Sequence, residues 1–185
     1  MFIFKEISIN TLIWLLPIVF MLHDFEEIIL IVPWLENNFD YIRKKAPNFL
    51  ERRIDKFANI STSQFALAVF LEFILFIIAT FMAVEYGKFI FLIVLNSFLL
   101  IHGIMHIITV VILKRYAPFI ITTILLIFPY CPYLFFRLLA SDLITFKTIL
   151  ISSLVGVVLI IPIILLLHKI SEVLYKNFIK LIKGD

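Results

Sequence analysis

The chain has 185 residues, 63% of them hydrophobic, and its mean hydropathy of +1.14 is too apolar for a domain that must show water a polar face. Its one cysteine, Cys131, excludes an internal disulfide and any CxxC metal knuckle, and no nucleic-acid motif accompanies the net charge of +3. The composition therefore predicts an all-α, polytopic membrane helix bundle of about five spans, with lipid as solvent and no room for a separate soluble domain.

The first predicted span covers about 11–32. It begins after Lys5 and Glu6, carries buried charges and lacks a small-residue cleavage site, so it is expected to be retained rather than removed as a secretion signal. Pro33-Trp34 is expected to break this helix at the membrane interface. The polar stretch 36–59 sets Leu50, Ile54 and Phe57 at helical spacing against Arg52, Arg53 and Lys56, the pattern of an amphipathic helix lying on the membrane surface.

Spans two and three, about 64–84 and 89–113, are joined by the short Glu85-Tyr86-Gly87-Lys88 turn and should be antiparallel neighbours. A fourth span, 118–138, contains Pro129 and Pro132, and a fifth, 146–167, contains Pro162, so both should bend. The tail 169–183 carries Lys169, Lys176, Lys180 and Lys183 and is expected to lie along the interface. Lys and Arg divide twelve to four between alternate sides, which predicts a cell-membrane protein with its N-terminus outside and its C-terminus in the cytoplasm.

Ionisable residues punctuate these apolar runs. His23, Glu26 and Glu27 stand at i, i+3 and i+4 on one helical face, with Asp24 pointing further round. Glu72 lies in the second span, and His102 and His106 lie one turn apart in the third, below Asn96. Each acid at a span centre costs on the order of 2.5–3.5 kcal/mol, so Glu26, Glu27 and Glu72 must be protonated, paired, ligating or facing a wet cavity. Counting about 1.5 Å per residue from the cytoplasmic ends puts His23, Glu27, Glu72, His102 and His106 all within roughly 8–16 Å of that surface, hence at one level. Asn96 and Asp24 read more simply as polar glue between helices, and His168, beside Lys169, as an interfacial residue.

This constellation predicts a metal-dependent membrane enzyme, a hydrolase acting on a lipid-like or membrane-embedded substrate. His23, His102 and His106 would bind a divalent ion, zinc foremost and iron second, with Glu27 as a further ligand and Glu26, Glu27 and Glu72 as the catalytic carboxylates. Glu72 would orient a histidine or join a second metal in a dinuclear site. Three alternatives stay open: glutamate-based proteolysis without metal, a small proton or metal transporter, and haem held between two histidines. Beyond membrane lipids and such a substrate, no partner and no oligomeric state is specified.

The pentad His23-Asp24-Phe25-Glu26-Glu27 resembles the motif that names the HXXEE-domain membrane proteins. The resemblance extends to a later histidine, His106, and to a YxPG-like element, Tyr116-Ala117-Pro118-Phe119, in which Phe119 replaces the family glycine. It covers about residues 11–138. The family has no established activity, and the resemblance implies a membrane enzyme. Glu26-Glu27 together with Phe98 and His102 is also faintly similar to the EE and FxxxH elements of CAAX-type intramembrane proteases, without the arginine expected after the paired glutamates.

Overall fold

The computed structural model describes residues 7–45 and 60–184; of the surface helix predicted at 36–59, residues 36–45 belong instead to the end of the first helix and residues 46–59 lie outside the described residues. The described residues form an all-α bundle of α1 (Ile9–Lys45), α2 (Thr62–Tyr86), α3 (Ile90–Leu113), α4 (Ile120–Ala140) and α5 (Phe146–Lys183), with no strand among them. The four helices α2 to α5 are long and apolar enough to cross a membrane. α1 is just as long, and Asp24, Glu26 and Glu27 interrupt its apolar run. Large apolar side chains such as Leu154, Val158 and Leu159 on α5 face outward, as lipid rather than water requires.

Two predicted breaks do not occur. α1 runs straight through Pro33 for 37 residues, or roughly 55 Å. A proline removes a single ladder bond, here the one to the Ile29 carbonyl, and the helix continues past it; in the next turn Asn37 Nδ2 donates to the Pro33 carbonyl at 2.7 Å and Asn38 Nδ2 to that of Trp34 at 2.9 Å. The extension is also tied to the chain that follows α3. Trp34 Nε1 donates to the Tyr116 carbonyl (2.8 Å), Tyr41 donates to the Leu113 carbonyl (2.7 Å), and the Arg115 guanidinium lies 3.8 Å above the Tyr41 ring. Likewise α5 continues past residue 168 without a separate tail helix. Its 38 residues span roughly 57 Å, nearly twice a bilayer's apolar thickness of about 30 Å.

Packing is closest where side chains are smallest. α1 meets α2 through the stacked rings of Phe20 and Phe76, 4.1 Å apart. α3 meets α5 at Gly156, where an added Cβ would stand only 2.1 Å from Val94 Cγ2, and beside it Ser97 and Ser153 share a hydrogen bond of 2.6 Å. Asn96 Nδ2 donates to the Cys131 carbonyl at 3.1 Å, joining α3 to α4 as the glue expected of it.

Pro118 lies in the non-helical link 114–119, and α4 begins at Ile120. Phe119 takes φ +145°, a conformation natural to glycine and strained for any residue with a Cβ. One turn later α4 widens into a π turn over Thr123–Ile127, closed by Phe128 N–H on the Thr123 carbonyl. The wide turn gives room to Pro129, which has no N–H and whose ring would collide with the carbonyl four residues back in a regular helix.

Candidate metal centre

α1, α3 and the first turn of α4 bring four side chains to one point. The i, i+4 spacing places His23 and Glu27 on the face of α1 turned to α3, and the same spacing places His102 and His106 on α3 opposite them. Gly103 lets α3 approach the wide turn of α4 closely, since a Cβ there would stand 3.1 Å from Ile127 Cγ2. His106 Nε2 is the hub: it lies 2.8 Å from His102 Nε2, 3.2 Å from His23 Nε2 and 3.0 Å from Glu27 Oε1. Glu27 Oε1 is 3.8 Å from both His23 Nε2 and His102 Nε2.

One ligand atom from each residue falls within 4.8 Å of all the others, so the group can hold a metal ion. Four donors at about 2.0–2.1 Å around a tetrahedral ion are separated by about 3.3 Å; five of the six edges, at 2.8 to 3.8 Å, bracket that value, and the sixth, between His23 and His102, is within 4.8 Å. His23, Glu27 and His106 are buried, whereas the His102 side chain is 34% exposed, so the group opens on one side only. The Phe119 ring stacks on His106 at 4.0 Å and the Phe98 ring lies 6.0 Å from His102.

Glu26 faces another way. Its Oε2 accepts both the backbone N–H of Thr122 (2.9 Å) and the Thr122 hydroxyl (2.5 Å), and its Oε1 accepts the Tyr116 hydroxyl (3.2 Å). The carboxylate thus sits at the N-terminus of α4, where helix amides are free to receive an anion. Loss of hydration and the Glu26 carboxylate together hold the Tyr116 hydroxyl above the ordinary tyrosine range, so it remains a donor. Thr122 Oγ1 also lies 2.9 Å from His23 Nδ1.

The structure therefore divides the predicted residues. His23, Glu27, His102 and His106 converge, and Glu26 reaches them only through Thr122. Glu72 does not join them: its Oε1 lies 3.0 Å from His168 Nε2, a link between α2 and α5 that gives the expected interfacial histidine a buried partner. Asp24 is 5% exposed, and its Oδ2 has no hydrogen-bond partner among the described residues. The adjacent glutamates point to different partners, Glu26 to Thr122 and Glu27 to His106. Thr122 was not predicted. Its only signal was a position three residues past the YxPG-like element, beside Thr123 in a largely apolar run.

The family model for proteins of unknown function with an HXXEE motif matches residues 14–134, a stretch that includes every converging side chain. No curated protein and no solved structure matches the chain. The motif histidine and its second glutamate thus meet the later histidines in one group, and by both this geometry and the family match the chain belongs to the HXXEE family.

Proposed function

We propose that this is a five-span cell-membrane hydrolase of lipid-like substrates, with a divalent ion held by His23, His102 and His106. The observation that carries the reading is the environment of His106 Nε2. Three polar atoms lie within 3.2 Å of a nitrogen that can hold at most one hydrogen, so hydrogen bonding alone cannot satisfy it and a shared cation can. An imidazole-rich set with one carboxylate suits zinc first and iron second. When bound, such an ion supplies Lewis acidity and lowers the pKa of a coordinated water toward neutrality.

The protein's own part is then as follows. His23, His102 and His106 would hold the ion, the first and last of them buried and His102 partly exposed. Glu27 Oε1, within 3.8 Å of all three imidazoles, would take a proton from the attacking water and return it to the leaving group, the alkoxide oxygen of an ester or the amine nitrogen of an amide. The substrate reaches the site past His102, flanked on α3 by the outward-facing Ile101 and Met105, an apolar approach that favours a lipid ester or amide over a solute. Placing α1 as the fifth span, with the N-terminus outside, puts the site in the cytoplasmic half of the bilayer and follows the Lys and Arg asymmetry.

Metal analysis of the purified full-length protein, followed by hydrolysis assays on a panel of lipid esters and amides, tests this reading. About one divalent ion per chain is expected. Glu27→Gln should keep that ion and lose roughly 10²–10⁴-fold in turnover. Protein without stoichiometric metal would overturn the centre, and loss of the ion from Glu27→Gln would overturn the assignment of Glu27 as base.

A further inference from the structure

We infer that Glu26 and Thr122 form a positioning relay that fixes His23 as the Nδ1–H tautomer and so turns its bare Nε2 toward the cluster. The inference rests on the proposed metal centre only for what that lone pair is used for. The hydrogen positions follow from counting donors. A threonine hydroxyl has one hydrogen, and a carboxylate has none. Glu26 Oε2 already accepts the Thr122 backbone N–H at 2.9 Å, and Oε1 accepts Tyr116, so Glu26 works as an acceptor on both oxygens. The Thr122 hydroxyl, 2.5 Å from that Oε2, gives its hydrogen to the carboxylate, because a charge-assisted O–H···O⁻ bond of this length outweighs a bond to a neutral ring nitrogen.

The hydroxyl then has only lone pairs to offer His23 Nδ1, 2.9 Å away, and that contact is a hydrogen bond only if Nδ1 carries the hydrogen. A neutral imidazole has one N–H, so Nε2 is left bare, facing His106 Nε2 at 3.2 Å and Glu27 Oε1 at 3.8 Å. That bare Nε2 can accept a hydrogen from His106 Nε2 or give its lone pair to a cation shared with His106 and Glu27. The relay thus performs the service that a carboxylate gives a ligating histidine, with a hydroxyl interposed. It also explains why the motif needs its first glutamate although that residue never reaches the cluster. Thr122 is the last residue before the π turn, so the relay acts on the segment of α4 that the wide turn separates from the proline-bearing remainder.

The test is ¹⁵N-imidazole NMR on full-length, metal-free protein, with His23→Gln used to assign the signal. Wild-type His23 should show a protonated Nδ1 and a bare Nε2. In Thr122→Val, which removes the acceptor and keeps the shape, the tautomer preference should be lost and zinc affinity should fall about 10–100-fold. Thr122→Ser should restore both, which a merely structural role for the methyl group would not do. A protonated Nε2 in the wild type, measured without any substitution, would overturn the relay, as would a Thr122→Val protein unchanged in tautomer and affinity. If wild-type protein takes up no metal, the proposed function fails on its own, while the tautomer signal still decides the relay.

Discussion

Replacing His106 by alanine should weaken zinc binding by about 10²–10⁴-fold. His106 Nε2 touches each of the other three donors, at 2.8, 3.2 and 3.0 Å, so its removal deletes the contact through which α1 and α3 share the ion. Structural zinc sites bind with apparent free energies of about 10–16 kcal/mol; shared among three histidine ligands this is roughly 3–5 kcal/mol each, which converts to a loss of about 10²–10⁴-fold in affinity. The Phe119 ring, stacked on His106 at 4.0 Å, loses its partner as well, and a folding cost of about 1–3 kcal/mol should accompany the change. The assay is competition for zinc against a chromophoric chelator in detergent. His168→Ala is the control, because that histidine pairs with Glu72 outside the cluster and its loss should leave zinc affinity unaltered. Wild-type affinity in His106→Ala, or an equal loss in His168→Ala, would refute the assignment.

Three further outcomes follow from the packing and the backbone. Gly156→Ala should lower the thermal midpoint by the equivalent of about 1–3 kcal/mol, since its Cβ would meet Val94 Cγ2 at 2.1 Å, and Val94→Ala in the same chain should recover most of the loss; an unchanged midpoint in the single variant would contradict the helix contact. Phe119→Ala should melt below Phe119→Gly, by about 1 kcal/mol or more, because both lose the ring on His106 but only alanine keeps a Cβ at φ +145°; the reverse order would show that the backbone there is unstrained. Cysteines at Asn37 and Asn177 should react with impermeant reagents only from the cytoplasmic side, and labelling confined to the outside would reverse the proposed orientation.

Much of the bundle was legible because lipid imposes long apolar runs whose ends are visible as charge and proline. The cost of burying ionisable side chains likewise forced His23, Glu26, Glu27, His102 and His106 to be read as one group, and helical spacing was enough to give each set a common face, although Glu26 turns to Thr122 instead. What escaped the reading depends on partners distant in the chain. Pro33 looked like a helix end because nothing local shows that Trp34 and Tyr41 will find carbonyls of the 113–116 segment. Glu72 looked like a member of the cluster because depth was estimated along each helix and not around it; its face turns to His168, a residue 96 positions later. Thr122 carried no charge to betray it, although its hydroxyl joins Glu26 to His23.

The wide turn at Thr123–Ile127 has one more consequence. A π turn holds one residue more than the α turn it replaces, so the two halves of α4 are out of phase by about 100° relative to an uninterrupted helix. The rotational setting of Thr122 against α1 is therefore independent of the setting that Asn96 imposes on Cys131 in the lower half. Deleting a single residue from the turn would re-engage the two halves like the plates of a clutch, and whichever contact was kept, the other would be swung a quarter turn away from its partner.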